Sequence, residues 1–259
     1  MALPKALLCL LGKKGAKTAP EEAALRVAGF ATASIGWEEV AAQRHGWTQL
    51  LPILEEPAVQ AWVFAGTAED FTTEVLSRMA LLTIALRRPK LPVTACVLSG
   101  GGKEPEFPDL LGHVRVFSGA ASFAARLAAM RLKPPAVSRP DFHVDAHLDP
   151  LIGLWLEVGP APGALWRGFM AGVLEAEVTA FGAGPRGTVP RKTVLEYPQC
   201  GIKGDWDGRA FTACAAKNAI DGDTSCYMRV EGAPQAIFVT THPDDNEERA
   251  QPLCWLALV

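Results

Sequence analysis

Lys5-Ala6-Leu7-Leu8-Cys9-Leu10-Leu11, closed by Gly12, is a short, unbroken apolar run. A strand with one wet face would alternate. A continuous run of this length ended by glycine reads as a strand covered on both faces of a parallel sheet. Runs of the same kind recur at 61–65, closed by Gly66, at 92–98 and at 113–117. Helical signals stand between them. Thr18-Ala19-Pro20-Glu21 supplies a cap, an early proline and an acidic first turn, opening a helix toward Phe30. A second helix is expected over 37–51, weakened by Gly46 and stopped by Pro52. Thr67-Ala68-Glu69-Asp70 resembles a capping arrangement ahead of a long helix to Arg88. Its Phe71, Val75, Leu76, Met79, Leu82 and Leu86 recur at three- and four-residue steps. An Ala-rich helix follows at 120–132. Strands alternating with helices predict a doubly wound, Rossmann- or flavodoxin-like parallel sheet over residues 1–135.

The proline-rich stretch from Lys133 to Pro140 reads as a linker. Beyond it the texture changes to short β-branched and aromatic segments at 154–158, 177–181, 193–197, 210–213, 226–230, 236–241 and 253–259. Turn signals such as Asp207-Gly208 and Asp221-Gly222 separate them. Residues 141–259 are therefore expected to form a β-rich, mainly antiparallel domain, a sheet or a sandwich, with one helix around 166–174.

The 259 residues are 49% hydrophobic and 20% charged, which suits a large buried core and excludes a disordered chain. The net charge of −3 hides an asymmetry, the first half being net basic and the second net acidic. Neither is charged strongly enough to imply nucleic-acid binding. The opening apolar run is followed by Gly12-Lys13-Lys14-Gly15 instead of a small-residue cleavage site, so it does not read as a signal peptide. No stretch reaches the roughly 18 apolar residues of a membrane span, and a cytoplasmic location is expected. The six cysteines contain no C-x-x-C pair, so reduced structural thiols are expected.

Three stretches carry residues suited to chemistry. Gly12, Lys13, Lys14, Gly15, Lys17 and Thr18 follow the first strand, where a parallel sheet binds ligands and a helix start attracts anions. They are candidate ligands for a small anion. Ala16-Lys17-Thr18 stands where a P-loop would read Gly-Lys-Thr, so nucleotide hydrolysis is not implied.

The second stretch is Asp141 to Pro150. Period-two alternation places His143, Asp145, His147 and Asp149 on one strand face, a donor set suited to a divalent metal. Asp145-Ala146-His147-Leu148-Asp149 resembles the D-A-H-x-D signature of the binuclear-manganese ureohydrolases, although their G-G-D-H and D-x-D elements are not placed here. In the third, an apolar strand runs into His242-Pro243-Asp244-Asp245, which resembles the opening metal motif of zinc-dependent de-N-acetylases. That resemblance implies metal ligation by His242 and Asp245 and a base at Asp244. The motif stands at the far end of the chain from where that family places it.

No nucleophile stands in a signature context. Gly201 to Gly208 reads as a glycine-rich hairpin, and any exposed members of the seven tryptophans would mark a protein interface. The sequence names no cofactor. The leading expectation is a non-catalytic binding or assembly protein, with a protein partner or homo-oligomer and a possible small anionic ligand on the α/β domain. The alternatives are a metal-dependent hydrolase using the His143, Asp145, His147 and Asp149 face, or a nucleotide-sensing regulator.

Overall fold

The computed structural model describes residues 3–12, 19–43, 45–100, 103–119, 123–133, 140–149, 151–242 and 254–259. They form two compact units, Met1–Ser138 and Arg139–Val259.

The first unit is built on a five-stranded parallel sheet: β1 (Lys5–Leu10), β2 (Ala31–Gly36), β3 (Val59–Gly66), β4 (Val93–Leu98) and β5 (Arg115–Ser118). Their order is β2-β1-β3-β4-β5, the flavodoxin-like order, which reverses between β1 and β3. The helices are α1 (Ala19–Val27), α2 (Trp37–Ala41), α3 (Leu50–Glu55), α4 (Thr73–Ala85) and α5 (Phe123–Met130). Alternation along the strands divides the core. Ala6 and Leu8 of β1, Ala61 and Val63 of β3, and Ala95 and Val97 of β4 pack with Leu25 of α1 and with Phe123 and Leu127 of α5. The opposite face carries Trp62 and Phe64, whose rings lie 4.8 Å apart, with Trp37 of α2 stacked edge-on against Phe64.

Two expectations fail here for local reasons. The helix expected over 37–51 is broken into α2, a 3-10 turn at Gly46–Gln49 and α3. His45 takes a left-handed φ of 58°, and a side chain on Gly46 would meet the Val40 carbonyl at 2.2 Å. Pro52 does not stop the helix but sits in the first turn of α3, where no intrahelical N–H bond is lost. The strand β2 carried no apolar run because it is an edge strand, small, polar and largely accessible.

The second unit is one seven-stranded, antiparallel sheet: β6 (His143–Asp149), β7 (Gly153–Gly159), β8 (Trp166–Pro185), β9 (Gln199–Trp206), β10 (Arg209–Ile220), β11 (Thr224–Thr240) and β12 (Cys254–Ala257). The order is β6-β7-β11-β8-β10-β9, with β12 added to β11. The helix expected around 166–174 is instead the first half of β8, a strand bonded on both edges, to β10 and to β11. The segment 193–197 forms no strand, although Thr193 Oγ1 bonds both the amide and the carbonyl of Ala183. Asp207 and Gly208 take φ of 51° and 78° and close the β9–β10 hairpin. Trp206, Phe211, Phe238 and Trp255 form an aromatic cluster on this sheet. No tryptophan is among the exposed large hydrophobic residues, so these serve packing.

Gly172 lies where β8 passes beneath that cluster. A Cβ there would stand 2.6 Å from the Phe238 ring and 2.7 Å from both the Ala213 methyl and the Thr212 carbonyl. Gly172→Ala should therefore cost about 1–3 kcal/mol in denaturant unfolding. Gly222→Ala, whose added methyl meets nothing nearer than 3.9 Å, should stay within about 0.5 kcal/mol of the parent.

Candidate metal centre between β6 and β7

β6 and β7 pair in antiparallel register with Asp145 directly opposite Glu157. Alternation puts His143 and His147 on the same face of β6 as Asp145, which makes both diagonal neighbours of Glu157, within reach of long side chains. Both imidazoles meet that carboxylate. His143 Nε2 lies 2.9 Å from Oε1 and His147 Nε2 lies 2.7 Å from Oε2.

The carboxylate of Glu157 is fully buried and held by further donors. The Gly187 amide donates to Oε1 at 2.9 Å and the Ser225 hydroxyl at 2.8 Å. Gly187 takes a φ of 83°, which turns its amide toward Glu157 and is accessible to glycine without strain. The next amide, of Thr188, donates to the Tyr227 hydroxyl at 3.1 Å, and that hydroxyl donates to the Pro185 carbonyl. The segment leaving β8 is thus latched to β7 and β11 by two successive backbone amides.

These contacts fix the charge of the site. Burial alone would raise the Glu157 carboxyl. The hydrogen bonds from His143, His147, Gly187 and Ser225 outweigh it and hold the group well below the usual carboxylate range. Tyr227 is pushed up to about 12 by burial and by the nearby Glu157 charge, so it stays a neutral phenol. The Tyr227 ring lies 5.8 Å from that of His147.

Among the described residues, Asp145, His147 and Glu157 each offer a ligand atom, all within 4.8 Å of one another. Asp145 Oδ1 also accepts the Ala146 amide at 2.7 Å. His143 and His147 are partly accessible at 24% and 16% of their side-chain area, so the site opens on the β6 side.

The expected strand face therefore exists, but its members diverge in role. His143, Asp145 and His147 converge on Glu157. Asp149 turns into the β6–β7 connection, where its Oδ1 accepts the amides of Leu151 and Ile152 at 2.7 and 3.1 Å. Glu157 escaped the sequence reading, although a lone carboxylate inside Leu154-Trp155-Leu156-Glu157-Val158 was a usable signal. A buried charge needs partners.

Of the loop expected to bind an anion, Lys13, Lys14, Gly15, Lys17 and Thr18 lie outside the described residues. Gly12 does not, and takes a φ of 91° at the end of β1. A Cβ on Gly12 would stand 3.3 Å from the Asp70 carboxylate. Asp70 also accepts the amide and hydroxyl of Thr67, so a carboxylate already stands at the carboxyl end of β1 and β3. In the third motif, His242 is buried just beyond β11 and Asp244 and Asp245 lie outside the described residues. The six thiols are free, and burial pushes that of Cys9 up to about 12.

No protein-family model matches the chain, and no curated protein matches it either.

Proposed function

We propose that this protein binds a divalent metal ion in its β-rich unit through Asp145, His147 and Glu157. The observation that carries the reading is the direct opposition of Asp145 and Glu157 across paired strands, with an imidazole beside them. Like charges directly opposite destabilise a strand pair. A cation between them converts that repulsion into ligation. One imidazole and two carboxylates suit Zn2+ or Mn2+.

In this reading the ion replaces the proton shared by His147 and Glu157. At metal–ligand distances of about 2.0–2.1 Å a tetrahedral ion needs its donors about 3.3 Å apart. The pair, now 2.7 Å apart, has only to open slightly. His143, Ser225 and Gly187 then orient the ligating carboxylate from behind, as outer contacts do in metal sites.

Glu157 is held ionised by its donors, the state a metal-ligating carboxylate needs. A metal-dependent hydrolase remains the second reading, because three protein ligands leave coordination positions open.

Thermal unfolding tests the reading. A ligand that binds the folded state raises the midpoint by mass action. Treatment with EDTA should lower the unfolding temperature and added Zn2+ should restore it. Indifference to both overturns the proposal. Metal-dependent cleavage of a p-nitrophenyl ester that disappears in His147→Ala would favour the hydrolase.

A further inference from the structure

We propose that the protein self-associates through β9, two copies pairing antiparallel about a two-fold axis at Gly204 so that Lys203 of each stands opposite Asp205 of the other. Among the described residues β9 pairs with β10 alone. Lys203, Gly204 and Asp205 are all exposed. An edge strand presents a row of open N–H and C=O groups and templates a further strand. β9 stands at the opposite end of the strand order from β6, so the inference does not rest on the metal centre.

The hairpin fixes which groups face outward. Asp207 and Gly208 form a two-residue turn, which makes Trp206 and Arg209 the closing hydrogen-bonded pair. Bonded and non-bonded pairs alternate along an antiparallel ladder. Gly204 therefore bonds Phe211, and Lys203 and Asp205 turn their backbone groups away from β10. Gly201, with a φ of 73°, and the register shift beside it end the outward row on the far side.

Only outward groups can bond across a dimer axis, so the symmetric registers set Lys203 on Lys203, Asp205 on Asp205, or Lys203 on Asp205. The first two place like charges directly opposite, which destabilises a strand pair. The third places Lys–Asp pairs on both sides of Gly204. It also lays Ile202 against Trp206 on the other face, and both are half-buried in the single chain. The two Phe211 rings come toward the axis, since each already lies over Gly204, 2.6 Å from where a Cβ would stand. Lys203 meets Glu177 at 3.3 Å within the chain, but both side chains are exposed, and such a pair is exchanged at little cost.

Sedimentation velocity of the full chain in EDTA, from about 5 to 500 µM, tests this. A reversible monomer–dimer equilibrium is expected with a Kd of about 10–100 µM, the weak end for a small interface. Lys203→Asp should weaken it at least about tenfold. Asp205→Asn, which keeps an oxygen for the Gly208 amide, should weaken it about threefold. Mixing Lys203→Asp with Asp205→Lys should restore a one-to-one dimer, because each strand then meets its opposite charge. A chain that is monomeric at every concentration overturns the proposal, as does a dimer that Lys203→Asp and Asp205→Asn leave unchanged. A mixture of the two folded charge variants that stays monomeric overturns the register.

Discussion

Glu157→Ala should destabilise the β-rich unit by about 3–5 kcal/mol, more than any other single substitution on this sheet. The loss comes from what stays behind. His143, His147, the Ser225 hydroxyl and the Gly187 amide all donate to one buried carboxylate. Removing an acceptor from buried donors costs their full desolvation, which exceeds the net value of the bonds. The latch of the segment leaving β8 goes with it, because Gly187 is one of its two amide contacts. Glu157→Gln keeps the volume and one acceptor oxygen but presents an amide NH2 toward a donor, so about half the loss is expected. Denaturant unfolding of the metal-free protein reads both. A cost below about 1 kcal/mol for the alanine variant would show that the carboxylate does not organise the site.

His147→Ala should weaken Zn2+ binding by at least about 100-fold, whereas His143→Ala should weaken it by only about tenfold. The two histidines bond the same carboxylate, yet only His147 joins Asp145 and Glu157 in the close ligand group. His143 acts through Glu157, and outer contacts of this kind typically change metal affinity by 10- to 100-fold. Affinity should also fall with acidification. Protons compete with the metal for its imidazole and carboxylate ligands, so acidification releases the ion. Competition with a chromophoric chelator across pH measures both effects. Equal losses from the two variants would remove the distinction between ligand and support.

The parallel sheet was legible because its central strands announce themselves. β1, β3 and β4 are covered on both faces and therefore unbroken in apolar character. β2 pairs only with β1 and lies at the edge, so Ala31-Thr32-Ala33-Ser34 carried no such mark. β8 misled for a related reason. Trp166, Phe169, Met170, Val173 and Leu174 fall at helical spacing, but a strand buried on both faces presents apolar groups at every position and so imitates a helix. Gly168 and Gly172 were the discordant residues, and Gly172 is where Phe238 closes on the strand.

The candidate centre was half legible. Alternation placed three of its residues on one face of β6. The fourth, Glu157, is defined by the pairing register of β6 with β7, which no local pattern on either strand specifies. Asp149 met the alternation rule as well, but it stands at the strand end, where the adjoining turn captures a short carboxylate side chain.

The most direct test counts ions. The chain should be stripped with EDTA, equilibrated with Zn2+, freed of excess metal and analysed by inductively coupled plasma mass spectrometry beside Asp145→Asn with His147→Ala. The expected result is one ion per chain in the parent and none in the double variant. A parent that retains no zinc, or a variant that retains as much as the parent, would contradict a metal centre at Asp145, His147 and Glu157.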